Sequence, residues 1–239
     1  KKIKNKNDLI KNMTPNGLLM PKKENAEAFN KILKSYASII KFLGIQSLVH
    51  KFHFPPNIRL KLNKIKKDSL NRPFSTEMMH ADPWSGANPN WCALHMFIFG
   101  DIKNNNIRYA YPPISFKENW LKPVKNTRTN KKIISQYNII DYVPKKNSII
   151  LADAAIIHQS YNKNNKGIRI SLDTGFDLVN KHIKKIKKTT KIQINTKKTR
   201  NKEMITARKL FNIGKKFFFT FKESINSDIV HKSKFEHPV

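Results

Sequence analysis

Apolar and polar positions divide the chain into a helical beginning and a β-rich middle. In residues 22–43, apolar residues recur every three or four positions with lysines between them, which predicts an amphipathic helix ending near Gly44. Pro55 and Pro56 interrupt the chain after this helix. Apolar residues then alternate with polar ones over residues 58–63, which predicts a strand with one buried face.

A series of short strands is predicted from Phe74 onward, because apolar segments there are separated by turn residues. The predicted strands are residues 76–82, 91–99, 107–111, 139–143, 148–152, 156–158 and 168–176. Residues 91–99 are almost continuously apolar, as in a strand buried on both faces. Many short strands with no helical pattern among them indicate a β-sandwich or barrel, with the N-terminal helix packed on its outside.

Composition narrows the class of protein. The 239 residues weigh 27.9 kDa and are 39% apolar, which suits one domain with a buried core. The single cysteine, Cys92, excludes a disulfide scaffold and a cysteine-based zinc site, and we expect it to act as a small hydrophobic residue. No run of ~18 apolar residues is present, which argues against a membrane-spanning helix. No signal peptide is recognisable, so the expected compartment is a reducing cytoplasm.

The positive charge is concentrated at the two ends of the chain. The net charge is +31; residues 1–72 carry +13 and residues 181–222 carry +14, whereas residues 73–180 carry only +5. Basic flanks can bind nucleic acid, an anionic membrane or an anionic substrate. They can also be a lysine-rich solvated surface, and the scarcity of arginine, the preferred phosphate ligand, favours this second interpretation.

Two histidines and one aspartate form the main candidate for chemistry. His80 and Asp82 are separated by one residue, so on a strand both side chains would point to one face. His158 ends a later predicted strand that can lie opposite them in a sandwich. Two histidines and a carboxylate are the facial triad of non-haem Fe(II) oxygenases, which leaves open positions for a co-substrate and O2.

The segment around His158 makes the pattern more specific. Residues 144–160 read as strand, tight turn and histidine-bearing strand, and residues 167–173 add a strand with Arg169 eleven residues after His158. With these residues the chain resembles the Fe(II)/2-oxoglutarate-dependent dioxygenases, in particular the phytanoyl-CoA dioxygenase-like branch, over residues 74–178.

The resemblance implies a fold, ligands and a reaction. The fold would be mainly β with flanking helices and a double-stranded β-helix (jelly-roll, cupin-like) core. The implied metal ligands are His80, Asp82 and His158, and the implied clamp for the 2-oxoglutarate co-substrate is Arg169 with Ser171. Fe(II) and O2 would then support hydroxylation of a small organic substrate, with a sugar or a lipid-linked saccharide as one candidate class, while 2-oxoglutarate is converted to succinate and CO2.

Comparison with neighbouring families adds further expectations. Related halogenases have a small residue in place of the metal carboxylate, whereas Asp82 is present here. Nucleic-acid dealkylases resemble one another in a second arginine at the position of Gly175, so the resemblance argues against nucleic acid as a partner. Trp84 is a candidate for stacking on the substrate or for capping the core. His95 is a candidate for substrate contact if residues 91–97 turn it inward, and is otherwise a core residue.

The predicted organisation is an N-terminal helical support (1–56), a jelly-roll oxygenase core (57–180) and a basic C-terminal extension (181–239). One alternative is a non-enzymatic module whose basic flanks bind nucleic acid or an anionic membrane surface. If the protein is an oxygenase, its basic flanks could also contact an anionic membrane surface. Another alternative is a cupin-type metal enzyme that does not use 2-oxoglutarate; Arg169 and Ser171 are the features against it.

Overall fold

The described part of the chain is mainly β, with antiparallel sheets and few helices. The computed structural model describes residues 13–19, 26–53, 56–62, 71–178, 204–206, 209–212 and 215–220. The helices are α1 (Ala26–Phe42) and α2 (Lys131–Ile134). The strands are β1 (Val49–His53), β2 (Ile58–Lys61), β3 (Trp91–Gly100), β4 (Asn105–Tyr111), β5 (Asn138–Ile139), β6 (Ile149–Asp153), β7 (Ile157–Asn162), β8 (Arg169–Leu178), β9 (Met204–Thr206), β10 (Lys209–Asn212) and β11 (Lys215–Thr220).

A six-stranded sheet forms the larger half of the fold. Its strand order is β6-β3-β8-β1-β9, and β2 also pairs with β8. The β3–β8 pairing is the longest and runs from Trp91 opposite Asp177 to Gly100 opposite Arg169. Gly100 has a positive φ of 111°, and a Cβ there would lie 2.0 Å from the Ile168 carbonyl oxygen. Only glycine permits this close approach, which sets the end of the pairing.

Helix α1 covers the outer face of this sheet, as the sequence predicted. Its apolar side, with Phe29, Leu33 and Tyr36, belongs to one core cluster with Leu94 of β3 and Phe176 of β8. Removing each such side chain from water contributes about 1.5–3 kcal/mol, so this contact is a main source of stability. The buried Tyr36 hydroxyl donates a 2.9 Å hydrogen bond to the Gly175 carbonyl, which ties the helix to β8.

A three-stranded sheet of order β5-β4-β7 faces the inner side of the larger sheet. Phe97 and Ala152 of the large sheet share a core cluster with Ile107 and Tyr109 of the small one. Apolar side chains of two sheets that interdigitate in this way make a β-sandwich. A further cluster, which includes Trp84, covers the small sheet.

Most strand predictions are confirmed. The confirmed segments, each within two residues at either end, are 91–99, 107–111, 148–152 and 168–176. The strand predicted at 139–143 is wrong beyond Ile139, because the Tyr142 N–H bonds back to the Ile140 carbonyl instead of to a neighbouring strand. His158 is the second residue of β7 and not the last residue of a strand.

The strand predicted at 76–82 is also wrong, since only one isolated bridge, between His80 and His158, is formed. Pro83 lies in the first turn of a 3-10 helix, Asp82–Ser85. The proline ring fixes φ at a value that favours this turn, and proline lacks the backbone N–H that a strand would need. The chain therefore turns at Asp82.

Strands from both predicted flanks join the large sheet. β1 lies within the predicted support and pairs with β8, and β9 lies within the predicted extension and pairs with β1. The domain boundaries stay predictions, because residues 1–12, 179–203 and 221–239 lie outside the described residues. Among the described helices, none has the length and apolarity needed to cross a membrane.

Candidate metal centre

The structure brings His80, Asp82 and His158 together. One ligand atom of each lies within 4.8 Å of the others, so the group can hold a metal ion. The two histidines face each other across their isolated bridge, through backbone hydrogen bonds of 3.0 and 2.9 Å, and their ring centroids are 4.6 Å apart. Asp82 reaches the same point from the first residue of the 3-10 helix. The predicted convergence is therefore present, although a turn produces it and not a strand.

Hydrogen bonding selects the nitrogen that His80 can offer to a metal. The Nδ1 atom of His80 lies 2.7 Å from the Met78 carbonyl oxygen. A carbonyl oxygen can only accept, so Nδ1 carries the proton and Nε2 keeps its lone pair. His158 directs its Nε2 toward Asp82, 3.9 Å from Oδ1. Both imidazoles therefore have an Nε2 suited to ligation beside a carboxylate oxygen.

Burial keeps His80 in the state that metal binding requires. Desolvation is the largest cause that lowers its pKa to about 4, and the neighbouring His158 lowers it further. Asp82 acts in the opposite direction but is outweighed. The imidazole is consequently neutral at pH 7, and only a neutral imidazole can ligate a metal.

A second polar group lies on the inner face of β8. Arg169 is 0% exposed, and none of its three guanidinium nitrogens has a hydrogen-bond partner among the described residues. The fully buried Ser171 hydroxyl, two residues along the same strand, has none either. The carboxylate of Asp173 lies 3.6 Å from Nη2 of Arg169, but its Oδ2 accepts a 2.6 Å hydrogen bond from Nε of Arg59. Asp173 is thus engaged chiefly by Arg59.

Buried ionic side chains around Arg169 carry one more positive than negative charge. The cations are Arg59, Lys61 and Arg169, and the carboxylates are Asp173 and Glu77. Burial is the main cause that lowers the pKa of Lys61 to about 8, and Arg59 adds to it. Burial opposes ionisation of Asp173, but Arg169 and Arg59 outweigh it and hold the pKa below its usual range. A buried charge left without a counter-ion is costly, so the cluster is suited to an anionic ligand.

His95 connects the two polar groups. It lies on β3 opposite Asp173 of β8, and its ring centroid is 5.1 Å from that of His158. Its Nδ1 makes a 2.9 Å hydrogen bond with the Tyr109 hydroxyl of the small sheet. Desolvation is the largest cause that lowers the pKa of His95 to about 3, so this ring is also neutral at pH 7. The structure therefore turns His95 inward. This orientation is the one that the sequence analysis required for a contact with the substrate.

Trp84, the other candidate for substrate contact, follows Asp82 in the same 3-10 helix but is enclosed in the core. It is 0% exposed within the cluster that covers the small sheet, and its Nε1 donates a 2.7 Å hydrogen bond to the Trp120 carbonyl. A side chain enclosed in this way cannot stack on a substrate. Of the two roles that the sequence allows for Trp84, the structure agrees with capping of the core.

The sequence did not predict that two further cations, Arg59 and Lys61, are buried beside Arg169. Arg59 and Lys61 were placed on the polar side of a half-buried strand, but all four residues of β2 are buried. Their polar face meets the inner face of β8, where Lys61 lies opposite Arg169 and Arg59 opposite Ser171. The alternation of β2 was the available signal, and it does not distinguish a polar interior from solvent.

Comparison with known proteins identifies no relative from which a function could be inferred. No protein-family model, no curated protein and no solved structure matches the chain. The functional interpretation therefore rests on the metal-ligand atoms, the buried arginine and His95, which connects them.

Proposed function

We propose that the protein is an Fe(II)- and 2-oxoglutarate-dependent oxygenase that hydroxylates a small organic substrate. One observation carries the proposal: a three-ligand metal group and a buried arginine, which has no hydrogen-bond partner among the described residues, are connected through His95, whose ring is 5.1 Å from that of His158 and which lies opposite Asp173 of β8. A metal site alone would fit many enzymes. The combination fits a metal enzyme whose co-substrate is an anion.

The donor set suits Fe(II). Two imidazole nitrogens and one carboxylate oxygen are the ligands of the facial triad, which leaves positions open on the metal. His80 and His158 would bind through Nε2, and Asp82 through Oδ1, the oxygen that faces His158. When bound, Fe(II) supplies the redox chemistry that couples decarboxylation of 2-oxoglutarate to oxidation of a C–H bond. The protein holds the ligands and shields them from water, since both histidines are buried.

The clamp suits the distal carboxylate of 2-oxoglutarate. A guanidinium binds a carboxylate through two parallel hydrogen bonds, and the Ser171 hydroxyl on the same face of β8 can donate a third. A carboxylate bound there would also balance the surplus buried positive charge. Arg59 assists because it engages Asp173 at 2.6 Å, while Arg169 lies 3.6 Å from the same oxygen. The donor groups of Arg169 thus stay available for the co-substrate.

His95 is suited to hold the end of the co-substrate nearer the metal. The Tyr109 hydroxyl is a buried donor, and its hydrogen bond to Nδ1 of His95 satisfies it. The proton of His95 then resides on Nε2. This N–H would lie between His158 and Asp173 and can donate to a carboxylate or to the substrate.

The fold is compatible with the proposal. Two antiparallel sheets with the site between them are the frame of a jelly roll, and we infer that the core is the double-stranded β-helix of these oxygenases. The search for a primary substrate would begin with small sugars and lipid-linked saccharides, the class to which the sequence resemblance points.

The test is visible spectroscopy without oxygen. Fe(II) is added to the purified protein, followed by 2-oxoglutarate, and we expect a weak charge-transfer band that requires both. Glutarate is the matched control, because it has the five-carbon chain and both carboxylates of 2-oxoglutarate but lacks the keto group that chelates iron. Iron binding without a band would favour a metal enzyme that does not use 2-oxoglutarate. Absence of iron binding would contradict the proposal altogether.

A further inference from the structure

The carboxylate of Asp82 is held by a tryptophan from the neighbouring strand. Nε1 of Trp91, the first residue of β3, donates a 2.7 Å hydrogen bond to Oδ2 of Asp82. The other oxygen, Oδ1, is the one that lies 3.9 Å from Nε2 of His158. The two oxygens of this carboxylate therefore have different neighbours: Oδ2 accepts from the indole, and Oδ1 faces His158.

The backbone is shaped to accommodate this indole. Trp91 passes over Gly175 of β8, where a Cβ would lie 2.3 Å from Cζ2 and 2.6 Å from Cε2 of Trp91 and 2.5 Å from the Cys92 carbonyl oxygen. Any side chain at residue 175 would displace the ring, and with it the N–H that reaches Asp82. The His53 ring, 6.3 Å away between centroids, meets the indole edge to face. Trp91 is thus fixed from two sides.

We propose that Trp91 is a positioning residue for the metal carboxylate, and that Gly175 is glycine because the indole and the Cys92 carbonyl oxygen occupy the space of a side chain. This inference rests on the proposed metal centre. A carboxylate can bind a metal through one oxygen or through both. The indole N–H engages Oδ2, so it favours ligation through Oδ1 alone and preserves an open position for a co-substrate. Hydrogen-bonded partners of metal ligands typically change affinity 10–100-fold when they are removed.

Metal affinity and spectrum test this without relying on turnover. Co(II) replaces iron because its visible bands report coordination geometry and it is stable in air. In Trp91→Phe, which lacks the N–H, we expect about 10–100-fold weaker Co(II) binding and a changed band pattern. Trp120→Phe is the matched control: it removes the indole of another tryptophan, whose ring contacts among the described residues are with Phe116 and Tyr137 and not with the metal ligands, and its affinity and spectrum should match wild type.

Gly175→Ala gives an independent route to the same effect, because it displaces the ring while keeping its N–H. We expect weaker Co(II) binding and a spectrum shifted in the direction seen for Trp91→Phe. Thermal unfolding without metal identifies variants that remain folded. Wild-type affinity and spectrum in folded Trp91→Phe would overturn this inference alone. Failure of the wild-type protein to bind Co(II) would overturn the inference and the metal centre together.

Discussion

The two faces of the large sheet are built from the same strands but have opposite character. On β8, Leu172 and Phe176 face outward into the cluster with α1, whereas Arg169, Ser171 and Asp173 face the small sheet. The outer face is mainly apolar. The inner face holds ion pairs and the Ser171 hydroxyl, which has no hydrogen-bond partner among the described residues, and through His95 it adjoins the metal group. This combination costs free energy unless ligands complete it. The fold thus places stability on one side of a strand and chemistry on the other.

The largest expected effect comes from removing a metal ligand on the inner side. His80→Ala, Asp82→Ala and His158→Ala should each reduce 2-oxoglutarate-dependent succinate formation to background, because two remaining ligands cannot hold the metal in place. Far-ultraviolet circular dichroism should stay close to that of wild type. His50→Ala is the control, since His50 is exposed on β1. Turnover retained in all three ligand variants would refute the assignment.

The outer face should respond in the opposite manner. Leu94 is fully buried in the cluster with α1, so Leu94→Ala should lower the free energy of unfolding by about 2–5 kcal/mol. Denaturant titration measures this loss. In the remaining folded protein, Co(II) affinity should equal that of wild type. A large loss of metal affinity in folded Leu94→Ala would show that the two faces are not independent.

Arg169 offers the sharpest contrast between function and stability. Arg169→Met removes a buried cation for which the described part of the chain offers no hydrogen-bond partner and keeps an apolar side chain beside Phe97. Without ligand, the variant should be as stable as wild type or more stable, because it removes the surplus buried positive charge while Arg59 still pairs with Asp173 at 2.6 Å. The co-substrate requirement should rise at least tenfold, through loss of roughly 1.5–3 kcal/mol of charge-assisted hydrogen bonding.

Denaturant titration and the 2-oxoglutarate concentration at half-maximal succinate formation measure the two quantities. Ser171→Ala serves as a graded comparison, since it removes one hydroxyl and should have a smaller effect on the co-substrate requirement. An unchanged requirement in Arg169→Met would mean that another group binds the carboxylate.

The sequence was sufficient for the parts of the site that short-range spacing determines. His80 and Asp82 are two residues apart, and Arg169 follows His158 at a spacing that the resemblance identified. The apolar run of β3 predicted a buried strand, and the amphipathic pattern of α1 predicted the helix. Each of these signals lies within one element or one pair of neighbouring elements.

The remaining parts depend on contacts between distant segments. The Arg59–Asp173 pair joins residues 114 positions apart, and no local pattern distinguishes a strand whose polar side faces a charged interior from one whose polar side faces water. Trp84 could stack or cap by sequence alone, and only the packing of Trp120 and its neighbours settles it. Trp91 had an apolar setting that gave no indication of its hydrogen bond to Asp82.

The most gradual expected effect is a pH dependence of stability that belongs to the inner face. Burial lowers the pKa of His80 to about 4 and of His95 to about 3, whereas both titrate near 6.5 when unfolded. Between pH 6.5 and about 4 the unfolded chain therefore binds more protons than the folded one, and the metal-free protein loses stability as the pH falls through this window. The slope approaches ~1.4 kcal/mol per pH unit for each histidine, and above pH 6.5 their contribution is fully present.

Urea titrations from pH 4.5 to 7.5 measure this slope of stability against pH. His95→Gln should reduce the slope, whereas Leu94→Ala should shift the whole curve without changing its shape. Equal slopes in wild type and His95→Gln would contradict the burial of a neutral imidazole between the metal group and the clamp.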